Sequence, residues 1–122
     1  MFGFFKSSGP AVQKIDPAEA VARARKGELL VIDVRDIGEL RATGKAKDAL
    51  HIPMMLLRTK ADPQSDERDK RLSVEKPVAL YCASGGRSQA AAKQMLAMGY
   101  TEVYNIGGLG DWRAGGGLVN PV

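Results

Sequence analysis

The stretch Val78-Ala79-Leu80-Tyr81-Cys82-Ala83-Ser84-Gly85-Gly86-Arg87-Ser88 joins an apolar run to a loop that contains two adjacent glycines. The apolar run is typical of a buried β-strand, and residues 88–98 have the apolar spacing of a helix. The sequence therefore predicts that Cys82 lies where a buried strand turns into a helix.

The rest of the chain repeats this alternation of strands and helices. Asp16-Pro17-Ala18-Glu19 has the residues of a capped helix start, and Gly27 is the expected stop. The apolar run Leu29-Leu30-Val31-Ile32-Asp33 is typical of a central strand that is covered on both faces. The remaining predicted elements are a helix over 36–43, a short strand over 49–53, a helix over 54–58, a charged loop with one weak helix over 59–76, a strand over 102–106 and a terminal helix after it.

This alternation predicts an α/β fold with a parallel sheet between helices. In such sheets the ligand crevice lies at the carboxyl ends of the strands. Asp33 and Cys82 both end a predicted strand, so we expect the functional site at that edge.

The 122 residues, 44% of them hydrophobic, are enough for one domain with a substantial core. We expect a flexible N-terminal arm over residues 1–12 and the folded domain over residues 13–120. Lys and Arg exceed Asp and Glu by 18 to 14, but they are dispersed with few aromatics between them, which argues against nucleic-acid binding. A single cysteine and the lack of a spanning segment indicate a cytoplasmic protein without a membrane, which we expect to be a monomer.

The role of Cys82 has two possible interpretations, one structural and one catalytic. A free cysteine is often only a small buried hydrophobe. However, Gly85 and Gly86 allow successive backbone N–H groups to converge on one point and bind an anion, which a structural cysteine does not need. Together with the positive end of the following helix and the charge of Arg87, these groups favour the thiolate. The loop therefore predicts a cysteine nucleophile.

The spacing from Cys82 to Arg87 separates two kinds of anion chemistry. Protein tyrosine phosphatases and the related arsenate reductases carry Cys-x5-Arg, a loop that surrounds a tetrahedral oxyanion. This chain has Cys-x4-Arg. The shorter loop should leave a smaller cradle, suited to one sulfur atom beyond the cysteine. A phosphatase or arsenate reductase stays as the less favoured alternative.

With these residues the chain resembles the rhodanese family, the single-domain sulfurtransferases, over residues 15–119. The resemblance implies a three-layer α/β domain with a five-stranded parallel sheet, helices on both faces and an extra short strand near Lys14-Ile15. One departure is Gly44-Lys45-Ala46-Lys47-Asp48-Ala49, where the family has Gly-His-Ile-x-Gly-Ala, and we expect an altered surface there. The motifs that carry the resemblance are Asp33-Val34-Arg35, the block from Glu39 through Gly44 to His51-Ile52-Pro53, the cysteine loop, and Gly107-Gly108 followed by Trp112.

The resemblance implies transfer of a sulfane sulfur through a persulfide on Cys82, with no cofactor and no metal. The donor is thiosulfate or a similar small anion, and the acceptor is cyanide or a thiol such as thioredoxin or glutathione. The candidate donor-binding residues are those of the loop: Ala83, Ser84, Gly85, Gly86, Arg87 and Ser88. Ser84 and Ser88 are expected to cap the helix, or else to donate to the bound sulfur. A persulfide relay to a partner protein and a rhodanese-like binding module remain alternatives.

Asp33 and Arg35 are candidate supporting residues at the end of the central strand. Arg35 either draws in the donor or has a structural role, paired with Glu39 while Asp33 bonds loop N–H groups, and we prefer the structural role. His51, the sole histidine, is expected to make a structural hydrogen bond. We expect Trp112 to belong to the core or to a lid.

Overall fold

Strands and helices alternate along almost the whole chain. A computed structural model describes residues 11–122, so residues 1–10 of the predicted arm lie outside the described residues. In chain order the elements are β1 (Gln13–Lys14), α1 (Pro17–Arg25), β2 (Leu30–Asp33), α2 (Ile37–Thr43), β3 (Lys45–Ala46), β4 (Leu50–His51), a 3-10 turn (Met54–Leu56), α3 (Leu57–Ala61), β5 (Val78–Cys82), α4 (Gly86–Ala97), β6 (Val103–Gly108), α5 (Leu109–Ala114) and β7 (Val119–Asn120).

The main sheet of residues 11–122 has five strands in the order β1-β6-β5-β2-β4, and every neighbouring pair is parallel. The two longest apolar runs form the central strands β2 and β5, because a strand covered on both faces needs apolar residues at every position. The predicted five-stranded parallel sheet, including the short first strand, is confirmed.

Helices cover both faces of this sheet. Along β5, Val78, Leu80 and Cys82 belong to one apolar cluster, whereas Ala79 and Tyr81 belong to the other, as the two-residue period of a strand requires. Met95 and its neighbours on α4 pack in the first cluster together with α3. The second cluster contains Trp112 and packs α1 and α5 against the opposite face. The predicted three-layer arrangement is therefore correct.

The segment that departs from the family pattern forms a small additional sheet. Lys45 and Ala46 pair antiparallel with Asn120 and Val119, which the sequence did not predict. Gly44 precedes this pair with φ +86°, and a Cβ at Gly44 would lie 2.7 Å from the Asn120 carbonyl oxygen. A glycine is required there because both the backbone angle and the close approach exclude a side chain.

The predicted start of the helix behind Cys82 was wrong by two residues. The sequence predicts a helix from Ser88, but α4 begins at Gly86, because Gly85 adopts φ +106° and turns the chain at once into the helix. Arg87 and Ser88 therefore lie in the first helical turn. The charged stretch 59–76 contains the end of α3 and then only turns. Within residues 11–122, no helix is both long and apolar enough to cross a bilayer.

Candidate active site

Cys82 is the last residue of β5 and lies beside Gly108, the last residue of β6. Its side chain is only 1% exposed. The backbone N–H of Gly85 donates to the Cys82 sulfur at 3.0 Å, and the Ser88 hydroxyl oxygen lies 3.4 Å from it. The turn between β5 and α4 thus surrounds the sulfur with neutral hydrogen-bond donors.

These donors decide the protonation of the thiol. Burial raises the pKa of the Cys82 thiol, since a charge is poorly solvated there. The Ser88 hydroxyl and the backbone N–H groups of Ser88, Gly85 and Ser84 oppose burial and lower the pKa to about 7, below the ordinary value of a free thiol. A large fraction of Cys82 is therefore thiolate at neutral pH, as the glycine loop predicts.

The pKa of Cys82 has a direct chemical consequence. Because only the thiolate is nucleophilic, alkylation by iodoacetamide should accelerate as the pH rises and level off above a midpoint of about 7. Initial rates across a pH series will report this midpoint, and every modification belongs to Cys82, the sole cysteine. A midpoint near 8.5, the usual value of a free thiol, would contradict the arrangement described above.

Ser88 does not cap the helix, which corrects the preferred expectation for this residue. The N-cap of α4 is Gly85, which has no side chain, and Ser84 makes no side-chain cap either. The Ser88 hydroxyl is fully buried and lies 2.8 Å from the Asn105 side-chain oxygen as well as 3.4 Å from Cys82. Its single proton has Asn105 as the nearest acceptor, and the Cys82 sulfur and the Gly107 carbonyl, both at 3.4 Å, are the longer alternatives. Donation by Ser88 to a sulfur bound on Cys82 stays a prediction.

Asn105 holds the cysteine loop in place and was missed by the sequence reasoning. Its amide nitrogen donates to the Gly85 carbonyl and to the Gln89 side chain, both at 3.0 Å, while its oxygen accepts from the Gly107 N–H at 3.0 Å. One side chain thus joins the loop, α4 and the end of β6. The available signal was a polar residue inside the apolar strand segment Val103-Tyr104-Asn105-Ile106.

Gly108 allows the end of β6 to pack directly on the loop. A Cβ at Gly108 would lie 2.2 Å from the Ala83 carbonyl oxygen, which is closer than any real contact. The Gly108 N–H donates to the Asp111 carboxylate at 2.8 Å. Ala83 and Ser84 are themselves exposed, as is Gly86, so the outer side of the loop is open to solvent.

Arg87 is engaged by a carboxylate from another helix. Its two terminal nitrogens each donate to Glu39 of α2 at 2.8 Å. The Arg87 hydrogen bonds, with help from the Asp36 backbone N–H, lower the pKa of Glu39 to about 2. The pKa of Arg87 is raised chiefly by Glu39, and Cys82 adds a smaller attraction. Arg87 is therefore within electrostatic range of Cys82, but its hydrogen bonds go elsewhere.

Asp33 and Arg35 form a buried network with Tyr81 on the face of the sheet opposite to Cys82. Arg35 donates to the Asp33 carboxylate at 2.8 Å and to the Gly44 carbonyl at 2.6 Å, and Tyr81 donates to the same carboxylate. Asp33 also accepts the Arg35 backbone N–H at 2.9 Å. The predicted Arg35–Glu39 pair is wrong, because Asp33 holds Arg35 and Arg87 holds Glu39.

His51 lies beside this network. Its Nε2 donates to the Arg35 carbonyl at 2.6 Å, which agrees with the structural role predicted for it. Trp112 is buried, and its indole N–H donates to the Leu118 carbonyl at 2.9 Å. His51 thus joins β4 to the segment after β2, and Trp112 joins α5 to the segment before β7. Neither side chain hydrogen-bonds to Cys82.

A cavity with several apolar lining residues lies away from Cys82. It has a volume of about 570 Å³ and is lined at the amino ends of the strands by residues such as Leu29, Leu30 and Pro77. The nucleophile and its donors are at the opposite edge of the sheet. In residues 11–122, no group of three or more His, Cys, Asp or Glu side chains could hold a metal ion.

The sequence is similar to that of known proteins with a rhodanese-like domain. The model of the rhodanese-like domain family matches residues 16–115. The thiosulfate sulfurtransferase GlpE of Coxiella burnetii is 35% identical over 103 residues, 84% of this chain and 88% of the relative. A sulfurtransferase of Allochromatium vinosum is 34% identical over 113 residues, 90% of this chain and 97% of the relative.

Two solved structures share the fold. A Rhodopseudomonas palustris protein, described as of unknown function and a possible tyrosine phosphatase, has a TM-score of 0.79 and 32% identity, covering 89% of this chain and 85% of that one. The human single-domain sulfurtransferase TSTD1 has a TM-score of 0.73 and 22% identity, covering 85% and 97%. Since the family match spans most of the molecule and includes the complete cysteine loop, this chain belongs to the rhodanese-like domain family of sulfurtransferases.

Proposed function

We propose that this protein moves a sulfane sulfur from thiosulfate or a similar small anionic donor to a thiophilic acceptor through a persulfide on Cys82. The observation that carries the proposal is the Cys82 sulfur at the carboxyl end of β5, with the Gly85 N–H at 3.0 Å and the Ser88 hydroxyl at 3.4 Å. Together with a pKa of about 7, this arrangement supplies a nucleophile without a separate general base.

In the first step the Cys82 thiolate attacks the outer sulfur of the donor. A new S–S bond forms to Cys82 while the donor's own S–S bond breaks, and its electron pair leaves with sulfite when the donor is thiosulfate. No oxidant or reductant is needed, because the transferred sulfur keeps its oxidation state. The loop N–H groups stabilise the negative charge on the sulfur atoms at Cys82.

In the second step an acceptor attacks the terminal sulfur of the Cys82 persulfide. Cyanide becomes thiocyanate, whereas a thiol such as glutathione or thioredoxin becomes a persulfide. The bond to the Cys82 sulfur breaks, and the thiolate is regenerated. The donor product leaves before the acceptor reacts, so we expect ping-pong kinetics.

Mass spectrometry tests this proposal most directly. Incubation with thiosulfate followed by removal of the donor should leave one added sulfur atom on the peptide that contains Cys82, and cyanide should remove it with release of thiocyanate. The single cysteine makes the assignment unambiguous. If neither thiosulfate nor an organic persulfide adds sulfur to Cys82, the proposed function is wrong.

A phosphatase is the second candidate, because the Rhodopseudomonas palustris relative is described as a possible tyrosine phosphatase. Two features argue against it. The spacing is Cys-x4-Arg, one residue shorter than in phosphatases, and the Arg87 guanidinium is paired with Glu39 instead of facing a free anion site. Hydrolysis of an aryl phosphate by the wild-type protein, lost on replacement of Cys82, would favour this candidate.

A further inference from the structure

The ion pair between Glu39 and Arg87 links α2 to the first turn of α4, the helix that follows the Cys82 loop. Both contacts are 2.8 Å, so the carboxylate and the guanidinium meet in a bidentate arrangement. The Arg87 and Glu39 side chains are 40% and 33% exposed, which places the pair at the surface of the site and not in the core. Glu39 therefore determines where the only cation of the cysteine loop donates its hydrogen bonds.

The Glu39–Arg87 ion pair weakens the attraction of the site for an anion. A bidentate carboxylate takes one N–H from each terminal nitrogen of Arg87, and its charge cancels much of the attraction that the guanidinium would exert on a donor. The groups that contact the Cys82 sulfur are neutral, namely a backbone N–H and a hydroxyl. Neutral dipoles stabilise one charge on sulfur, but they provide little long-range attraction for a compact dianion.

Apolar side chains lie at the same edge of the sheet. Ile37 begins α2 after β2, and Met55 and Leu56 follow β4, so all three lie at the carboxyl edge at which Cys82 ends β5. These side chains are 44%, 87% and 41% exposed, and the adjacent Met54 packs against the cluster that contains Cys82. An organic substituent can make apolar contacts at this edge, whereas a sulfonate group cannot.

We propose, on the basis of the proposed function, that Glu39 is a positioning residue that determines specificity. By holding Arg87, it makes this site prefer a low-charge organic persulfide over thiosulfate as the sulfur donor. The Cys82 thiolate attacks the outer sulfur of R–S–SH. The bond between the two donor sulfurs breaks, R–S⁻ leaves with its electron pair, and Cys82 becomes Cys82–S–SH. Atoms, charge and oxidation state balance without a further reactant.

The test compares two donors with the wild-type protein and the Glu39→Gln variant. The probes are thiosulfate and the persulfide of 2-mercaptoethanol, whose organic group is uncharged. Glutamine removes the charge but keeps an oxygen for the Asp36 N–H, which Glu39 accepts at 3.0 Å, so the helix start should persist. Thermal unfolding of each variant verifies this.

We expect Glu39→Gln to raise kcat/KM for thiosulfate about tenfold, because the released guanidinium gains a charge-assisted contact with the dianion. The same variant should change kcat/KM for the organic persulfide less than about twofold. The gain with thiosulfate should shrink as ionic strength rises, since screening weakens attraction between exposed charges. Glu19→Gln, which removes an exposed carboxylate of α1, is the matched control and should alter neither donor.

A double variant identifies the origin of the gain. Adding Arg87→Ala to Glu39→Gln should cancel the rise with thiosulfate, because the cation that produces it is gone. Should Glu39→Gln fail to fold, Glu39→Asp makes the same comparison, since its shorter side chain breaks the bidentate contact.

The outcomes separate this inference from the proposed function. Equal changes with both donors, no change with either, or a gain that survives Arg87→Ala would overturn the role of Glu39 while leaving sulfur transfer intact. Wild-type kcat/KM for thiosulfate above that for the persulfide would also overturn it. Failure of the proposed function appears differently, as a wild-type Cys82 that takes sulfur from neither donor.

Discussion

The Cys82→Ser variant is expected to retain less than about one per cent of wild-type sulfur transfer while keeping the fold. Serine is close to cysteine in size, so it fits the fully buried position at the end of β5. Its hydroxyl, however, stays protonated at neutral pH and cannot form a persulfide. Release of thiocyanate from thiosulfate and cyanide measures the loss, and the thermal midpoint should change little.

One further measurement makes this result specific. The variant should gain no sulfur atom in the mass spectrum with any donor, because the chain then contains no thiol. A folded Cys82→Ser protein that transfers sulfur at more than a few per cent of the wild-type rate would eliminate Cys82 as the nucleophile. In that case the cradle around residue 82 would need another explanation.

Insertion of one glycine between Gly85 and Gly86 is expected to reduce sulfur transfer roughly a hundredfold. The spacing between Cys82 and Gly85 would stay the same, so the Gly85 N–H could still reach the sulfur. However, α4 would begin one residue later, and this shift would rotate Ser88 away from the sulfur. Misplacing a preorganised donor of this kind costs about 3 kcal/mol of transition-state stabilisation. The spacing would then be Cys-x5-Arg, as in the phosphatases.

A matched insertion controls for the general effect of a longer chain. A glycine between Asp66 and Glu67 falls in an exposed turn and should leave sulfur transfer unchanged. Wild-type rates in a folded loop-insertion variant would show that loop length does not select the chemistry. Gain of aryl-phosphate hydrolysis is not required, because a phosphatase also needs an acid for the leaving group.

Much of the fold could be predicted because burial on two faces leaves a clear pattern in the sequence. The continuous apolar runs that became β2 and β5 are typical of central strands, and their polar or reactive last residues mark the functional edge. The pairing of β3 with β7 could not be predicted, since it joins segments of two residues each that are more than seventy positions apart. The early start of α4 depends on one backbone angle, at Gly85.

The candidate site was predictable where it depends on neighbours in sequence. Cys82 and the N–H groups of its loop lie within seven residues, so the lowered thiol pKa followed from the motif. The partners of Arg35, Arg87 and Glu39 did not, because each of these side chains has several oppositely charged candidates and only tertiary packing selects one. Asn105 was missed for the same reason: it acts on a loop twenty residues away.

The single cysteine of the sequence also has a kinetic consequence. A persulfide formed on this side chain would find no second cysteine in the chain to attack it, so it could be discharged only by a molecule arriving from solution. The lifetime of the persulfide form of the protein would then be set by the acceptor concentration, and this form should be stable enough to isolate. The same Cys82 sulfur would therefore both hold the transferred sulfur atom and pass it on to the acceptor.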